Sequence, residues 1–300
     1  LIDTYGSQYD FQDLSFKLNF PTKKAGTFSI FGLGFIDKAW DVELDIKDIH
    51  SIYDASDQVG HLYNAVVGAS HKIHFDSKWT WRTTLVYNMQ HNKADMEYWG
   101  LIFDDNYKPI GFEGKDYPFS YLKQNEDRVV FNTELSKQIT PRWLMQLGGE
   151  YSHRFFDLNF RTAENVYEPV SPKPYYATKD NTGLASIFWS NLWTPADKLS
   201  INFGFSGSYF LLSKDFSVEP RVSVKWEPGE RHSISIGYGL HSMIEKLDAY
   251  FFRDENGDLA NKDLGLSKAH HLLTTYMYKI SENLNLRFNA YYQHGFDTPV

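Results

Sequence analysis

The sequence has no cysteine, which removes disulfides, thiolate-bound zinc, thiol nucleophiles and iron–sulfur clusters together. It also lacks a long apolar run. The longest stretch free of Asp, Glu, Lys and Arg is 181–196, 16 residues that include Pro195. A spanning helix needs about 20 mostly apolar residues, so no helix here crosses a bilayer, although strands remain free to do so. Positive charge is scarce: 30 Lys+Arg against 38 Asp+Glu leave a net charge of −8. A nucleic-acid partner is therefore not expected, since such binders show a basic patch or stripe. Gly-x-Ser-x-Gly, a P-loop and His-Glu-x-x-His are absent too, so the residues carry no enzyme constellation and imply no cofactor. The chain opens Leu1-Ile2-Asp3-Thr4-Tyr5, with no initiator Met, basic n-region or apolar h-region. Leu1 is expected to be the cut edge of something longer.

What is abundant is aromatic: 23 Phe, 20 Tyr and 8 Trp, 17% of 300 residues, at a mean hydropathy of −0.46. The length allows two average domains, but β-barrels often exceed about 200 residues as one unit. Period-two alternation runs through the chain. Phe216, Val218, Pro220, Val222, Val224 and Trp226 share one face of a strand, and Ser217, Glu219, Arg221, Ser223 and Lys225 share the other. The same split appears in Leu284–Gln293, Ile201–Leu211 and Leu14–Phe20, as expected of strands with one apolar and one polar face. About twelve strands follow, near 12–20, 26–36, 61–76, 78–91, 127–139, 142–156, 182–194, 198–212, 215–227, 231–243, 266–280 and 283–294; the faces of the second and seventh stay ambiguous. Connections alternate between short turns, such as Asp76-Ser77-Lys78 and Thr140-Pro141, and long loops expected over 37–60, 92–126, 157–181 and 244–265. Ser213-Lys214 is the one tight exception.

Antiparallel strands joined this way put every short turn at one end, the organisation of an outer-membrane barrel. A soluble β-sandwich also alternates polar and apolar residues, so alternation alone does not choose. The aromatics do. Trp79, Trp81, Trp143, Trp193 and Trp226 flank short turns, and Tyr87, Tyr151, Tyr209, Tyr238 and Tyr292 sit further along the strands. At about 3.3 Å per residue and a tilt near 40° the two groups are on the order of 20–25 Å apart along the normal. Two aromatic girdles around an apolar band match the two bilayer interfaces, whereas strand propensity would not sort rings by strand end.

The polar face is read as a lumen wall carrying Lys17, Arg82, Glu134, Glu150, Glu219, Arg221, Lys225, Lys279 and Arg287. Glu150 and Glu219 are expected either to face each other across that lumen or to join charge ladders with Arg221, Lys225 and Arg287. Twelve strands with such a lining make either a narrow pore or part of a larger barrel. Because open edges are not tolerated in a bilayer, further chain is expected. Asp254-Glu255-Asn256-Gly257-Asp258 departs from a calcium loop, with its Gly fourth rather than sixth, and reads as a turn. His270 and His271 point to opposite faces and cannot chelate one metal together. The expected loop 92–126 holds Tyr98, Trp99, Phe103, Tyr107, Phe112, Tyr117, Phe119 and Tyr121 among Asp104, Asp105, Glu113 and Asp116. Aromatics with acids suit sugars, glycans or cationic chelates, or serve only to keep such loops ordered.

Ser217-Val218-Glu219-Pro220-Arg221, then Gly237-Tyr238-Gly239-Leu240-His241-Ser242, then Asn261-Lys262-Asp263-Leu264, Ser267-Lys268-Ala269-His270-His271 and Tyr291-Tyr292-Gln293 form an ordered series. It resembles the β-barrel of TonB-dependent receptors, in the branch whose members carry an N-terminal carboxypeptidase-regulatory-like domain. Tyr9–Phe20 and Gly26-Thr27-Phe28-Ser29 resemble that group's early strands. Met243 departs from it, standing where Gln is expected, and Pro220 implies a local bulge. The resemblance implies that residues 1–300 are part of an all-β, antiparallel transmembrane barrel of about 22 strands, without the plug domain and TonB-contacting segment. It implies a non-enzymatic importer of a scarce nutrient, such as a metal chelate, glycan or peptide, in the bacterial outer membrane. Outer-membrane lipid, TonB through the part not in this chain, the nutrient and a surface lipoprotein are the partners it suggests. A passive or adhesive barrel of about twelve strands and a soluble β-rich binding module are the alternatives.

Overall fold

The computed structural model describes residues 7–41, 44–49, 54–163, 172–254 and 256–299. Twelve strands follow one another: β1 (Ser7–Pro21), β2 (Thr27–Asp41), β3 (Ser56–His74), β4 (Trp79–Phe103), β5 (Pro109–Thr140), β6 (Trp143–Thr162), β7 (Lys173–Ala196), β8 (Leu199–Phe210), β9 (Asp215–Gly229), β10 (His232–Met243), β11 (Ser267–Ser281) and β12 (Leu284–Phe296). Each pairs antiparallel with its sequence neighbours in one 12-stranded sheet, with β1 and β12 as its edges. The sheet is a partial barrel, not closed on itself. One short helical turn, α1 (Leu247–Tyr250), interrupts the connection from β10 to β11.

Burial is inverted relative to a water-soluble domain. Phe216 is 66% exposed and Ile187 61%, while among the described residues the buried apolar side chains, Tyr98 apart, gather in two small clusters. Register explains this. Tyr209↔Phe216, Val222↔Tyr238, Tyr238↔Leu272 and Leu272↔Tyr292 pair across consecutive strands, and paired residues share a face. Apart from a minority on the other face, such as Leu33 and Tyr291, the exposed apolar side chains therefore form one continuous face. All ten girdle aromatics lie on it, Trp143 opposite Trp193 and Trp226 opposite Ile234. Register also resolves β2, whose Phe28, Ile30 and Ile36 join this face while Phe31, Leu33 and Phe35 turn to the polar one. In β7, Trp193, Trp189 and Ile187 are on the apolar face and Phe188 and Leu192 on the polar face.

Two expectations need correction. The stretch 92–126 is not a loop: β4 runs on to Phe103, β5 starts at Pro109, and only 104–108 turn. Beyond Tyr87 this hairpin extends about 50 Å along the strand at about 3.3 Å per residue. Backbone pairing continues past the girdle, through register shifts at Met96/Glu97, Trp99/Leu101 and Ile102/Phe103, because an antiparallel ladder satisfies its own hydrogen bonds in water as well as in lipid. Likewise β6 and β7 reach into 157–181, and β2 and β3 into 37–60. Second, Pro220 produces no bulge: β8 pairs with β9 in unbroken register through Phe205↔Pro220. The β9–β10 ladder instead stops at Arg221↔Gly239, one residue before Pro220, where the missing N–H removes the next rung.

Candidate functional site

Glu150, Glu219, Arg221, Lys225 and Arg287 all occupy the polar face, in register with Ser186, Ser206, Gly204, Ser200 and Met277. Only some interact. Glu219, 4% exposed, accepts hydrogen bonds from Ser206 Oγ at 3.0 Å, Arg221 Nη2 at 2.7 Å and Ser242 Oγ at 2.5 Å. Lys225 pairs with Glu227 at 2.9 Å. Glu150 accepts from Asn132 Nδ2 at 3.3 Å. The structure does not set Glu150 opposite Glu219. They lie on one wall, on β6 and β9 with two strands between, roughly 14 Å apart at about 4.8 Å per strand. The Arg221 and Lys225 pairs run along β9, two residues apart, instead of laddering across strands.

Beside Glu219 the wall is hollowed into a cavity of about 600 Å³. Gly204, Gly237 and Gly239 contribute no side chains to it, and Arg221, His241 and His271 stand around it. The two imidazoles meet edge-on with centroids 4.8 Å apart. His270 points to the opposite face, where Tyr238 Oη and His270 Nδ1 are 2.9 Å apart. Among the described residues no group of three or more His, Cys, Asp and Glu is placed to hold a metal ion. At Asp254, the carboxylate accepts the N–H groups of Asn256 and Asp258, both at 2.9 Å, and Gly257 takes φ +84°, so this segment is a turn.

Two features escaped the sequence reading. Residues 244–254 and 256–266 fold over the polar face. Leu247, Tyr250, Phe251 and Leu266 pack on Phe156, Leu158, Tyr176 and Phe210, with Tyr250 fully buried. Asp248 ties this segment down by accepting from Gln124 Nε2 at 2.9 Å and Tyr176 Oη at 3.4 Å. Tyr176 lies nine residues beyond Ala185, the partner of Tyr151, so it is clear of the band between the girdles. Burial, helped by the Asp248 carboxylate and opposed by the Gln124 amide, pushes its phenol up to about 12. Burial also raises Tyr250. Apolar residues at alternating polar-face positions of β6 and β7 were the available signal. The second feature is a charge cluster beneath the segment: Glu126 meets Arg128 Nε at 2.9 Å and Arg154 Nη1 at 3.3 Å.

Of the eight aromatics expected in a loop, Tyr98, Trp99 and Phe103 are on β4, Phe112, Tyr117, Phe119 and Tyr121 on β5, and Tyr107 alone is in the turn. The hairpin brings Tyr98 against Phe119 and Trp99 against Phe112, with centroids 4.7 and 5.8 Å apart. Tyr117 Oη donates to Glu113 at 2.8 Å. Tyr107 stands alone, 88% exposed. Self-packing therefore accounts for four of the eight rings, and Ile102, Phe103, Tyr107 and Ile110 form an exposed tip.

A family model described as TonB dependent receptor-like, beta-barrel, matches residues 2–242. Solved structures with the same fold include the pyoverdine outer membrane receptor FpvA from Pseudomonas aeruginosa bound to pyoverdine. It is 11% identical with a TM-score of 0.69, over 96% of this chain and 46% of that one. The siderophore receptor PiuA from Acinetobacter baumannii is 13% identical, TM-score 0.61, over 96% of this chain and 50% of that one. The copper transporter OprC is 10% identical, TM-score 0.65, over 97% and 46%. This chain thus spans half or less of the length of these structures. No curated protein matches the sequence.

Proposed function

Because the chain belongs to the TonB-dependent receptor-like β-barrel family, we propose that it forms a large part of the wall of an energy-coupled importer in the bacterial outer membrane. The observation that carries this reading is the two-faced sheet. Its apolar face is bounded by two aromatic rows, and its strands overrun that band at one end only. A bilayer selects the first property and a receptor needs the second. The long hairpins then stand on the cell surface, and the short turns face the periplasm. Glu150, Glu219, Arg221, Lys225 and Arg287 line the lumen, where polar groups contact water or a plug rather than lipid. TonB acts through a part of the protein outside residues 1–300.

The cargo is a scarce nutrient such as a metal chelate, glycan or peptide, met first by the β4–β5 hairpin and by the segment 244–266. Exposed rings among Asp104, Asp105 and Asp116 suit stacking on sugars and attraction of cationic chelates. A surface lipoprotein docks at this same end. The family is one of receptors, so no catalytic residue is assigned.

The test is migration of the full-length protein, extracted from an outer-membrane fraction, boiled against unboiled. The expected result is a heat-modifiable band far above 34.9 kDa. A heat-modifiable band near that mass would support a complete small channel or adhesin instead. A band that needs no detergent and ignores boiling would overturn every membrane reading. For the hairpin, removing 98–121 from the full-length protein is expected to abolish uptake while insertion persists; unchanged uptake would dispose of the contact role.

A further inference from the structure

His270 and His271 point to opposite faces, but register gives His270 a different companion. β11 pairs with β12 through His270↔His294, and residues directly opposite in a ladder stand on one face. Among the described residues no other two histidines are set opposite each other by strand pairing. Both rings are on the apolar side of the sheet, away from the lumen wall. His294 lies two residues past the girdle ring of Tyr292. At about 3.3 Å per residue and a tilt near 40° that is about 5 Å further along the normal. His294 is exposed and His270 half-buried.

The spacing suits a shared metal ion. The two imidazoles are parallel to within 4°, with centroids 6.5 Å apart. Two bonds of about 2.1 Å from ring nitrogens to one metal bridge a gap of that size. Tyr238 Oη is 2.9 Å from His270 Nδ1. In the tautomer whose Nδ1–H donates to that oxygen, Nε2 carries the free lone pair. Phe296 stacks on His270 with centroids 5.0 Å apart and restrains the ring. Lys268, two residues before His270, is neutralised by Asp297 at 3.1 Å. The lumen pair, His241 and His271, is placed less well. A Cβ on Gly239 would lie 2.8 Å from His241 Nε2 and 3.5 Å from Arg221 Cγ, so a guanidinium side chain adjoins that pair and opposes a cation.

We propose that His270 and His294 together bind one divalent transition cation of the imidazole-preferring class, zinc, nickel or copper(II). Water completes its shell. Because the two ligands come from adjacent strands, the ion staples β11 to β12 on the face opposite the lumen, apart from any path for cargo.

The experiment is a calorimetric titration of the untagged full-length protein in detergent with zinc, with copper(II) as the spectroscopic probe. One ion per chain is expected, and for copper(II) a nitrogen hyperfine pattern from two imidazoles. H270A and H294A should each abolish that stoichiometric binding, and Y238F should weaken it about tenfold by releasing the His270 ring. H153A, on the same face with no histidine opposite, should leave it unchanged. Zinc should also raise the temperature at which the unboiled gel band is lost, in the parent and not in H294A. Should H270A not fold, H294A, at an exposed position, carries the test. Absence of stoichiometric binding, binding that survives H294A, or binding lost in H271A instead would overturn the proposal.

Discussion

Tyr107 and Gly257 occupy the same place in two copies of one turn. In each, an Asp carboxylate accepts the N–H groups two and four residues on: Asp104 from Asn106 and Lys108, Asp254 from Asn256 and Asp258. The fourth residue has φ +61° in one and +84° in the other. Glycine takes that conformation freely, whereas a residue with a Cβ is strained there by about 1–2 kcal/mol. Tyr107→Gly should therefore slow amide exchange in the β4–β5 turn several-fold, part of the gain being offset by the entropy of glycine. Unchanged exchange would mean that the Asp104 contacts alone hold the turn. At Glu219 the carboxylate satisfies two hydroxyls and a guanidinium. Glu219→Ala should cost about 3 kcal/mol and Glu219→Gln less, read as the temperature at which the unboiled gel band is lost. The motif Ser217-Val218-Glu219-Pro220-Arg221 was visible in the sequence, but its contacts with Ser206 and Ser242 were not: Ser206 arrives from β8 through register, and Ser242 from the end of β10, beyond the last rung of the β9–β10 ladder.

Elements were legible unevenly. Twelve strands were readable, with the faces of β2 and β7 left ambiguous, since a period of two follows from covalent geometry and survives any tertiary setting. Their ends were not, because beyond the girdle neither face meets lipid and the apolar–polar contrast that marks a strand fades. The segment 244–266 was unreadable for another reason: its apolar residues find their partners on β6, β7 and β8, far away in sequence. Tyr250→Ala should release it, costing on the order of 3–5 kcal/mol of local packing. Protease cleavage within 244–266 should then appear while heat-modifiable migration persists. The same latch should be sensitive to alkali. Tyr176 and Tyr250 have folded pKa values above the ordinary phenol value near 10, so folding favours their neutral forms. That contribution is whole below pH 10 and, for Tyr176, drains away between pH 10 and about 12. Protease sensitivity should rise over that window, and Tyr176→Phe should blunt the rise.

For the whole molecule, what matters is which face a residue is on. Val222 and Ser223 are neighbours, yet Val222 lies on the apolar face opposite Tyr238 and Ser223 on the polar face opposite Gly237. Val222→Arg, level with the girdle ring of Tyr238, should cost about 1 kcal/mol in a bilayer and Ser223→Arg less, read as folded fraction after refolding of the full-length protein into vesicles. Similar losses for both would refute a lipid-facing apolar side. The sequence by itself determined the all-β class, the two unlike faces, the paired aromatic rows and the family resemblance, because each is written in local periodicity and residue order. Only the tertiary structure decided which way β2 and β7 turn, how far the hairpins rise, and what Glu219 and Tyr250 touch. It also decided that His270 stands beside His294 and not His271. These depend on strand register, and register joins residues that the sequence keeps far apart.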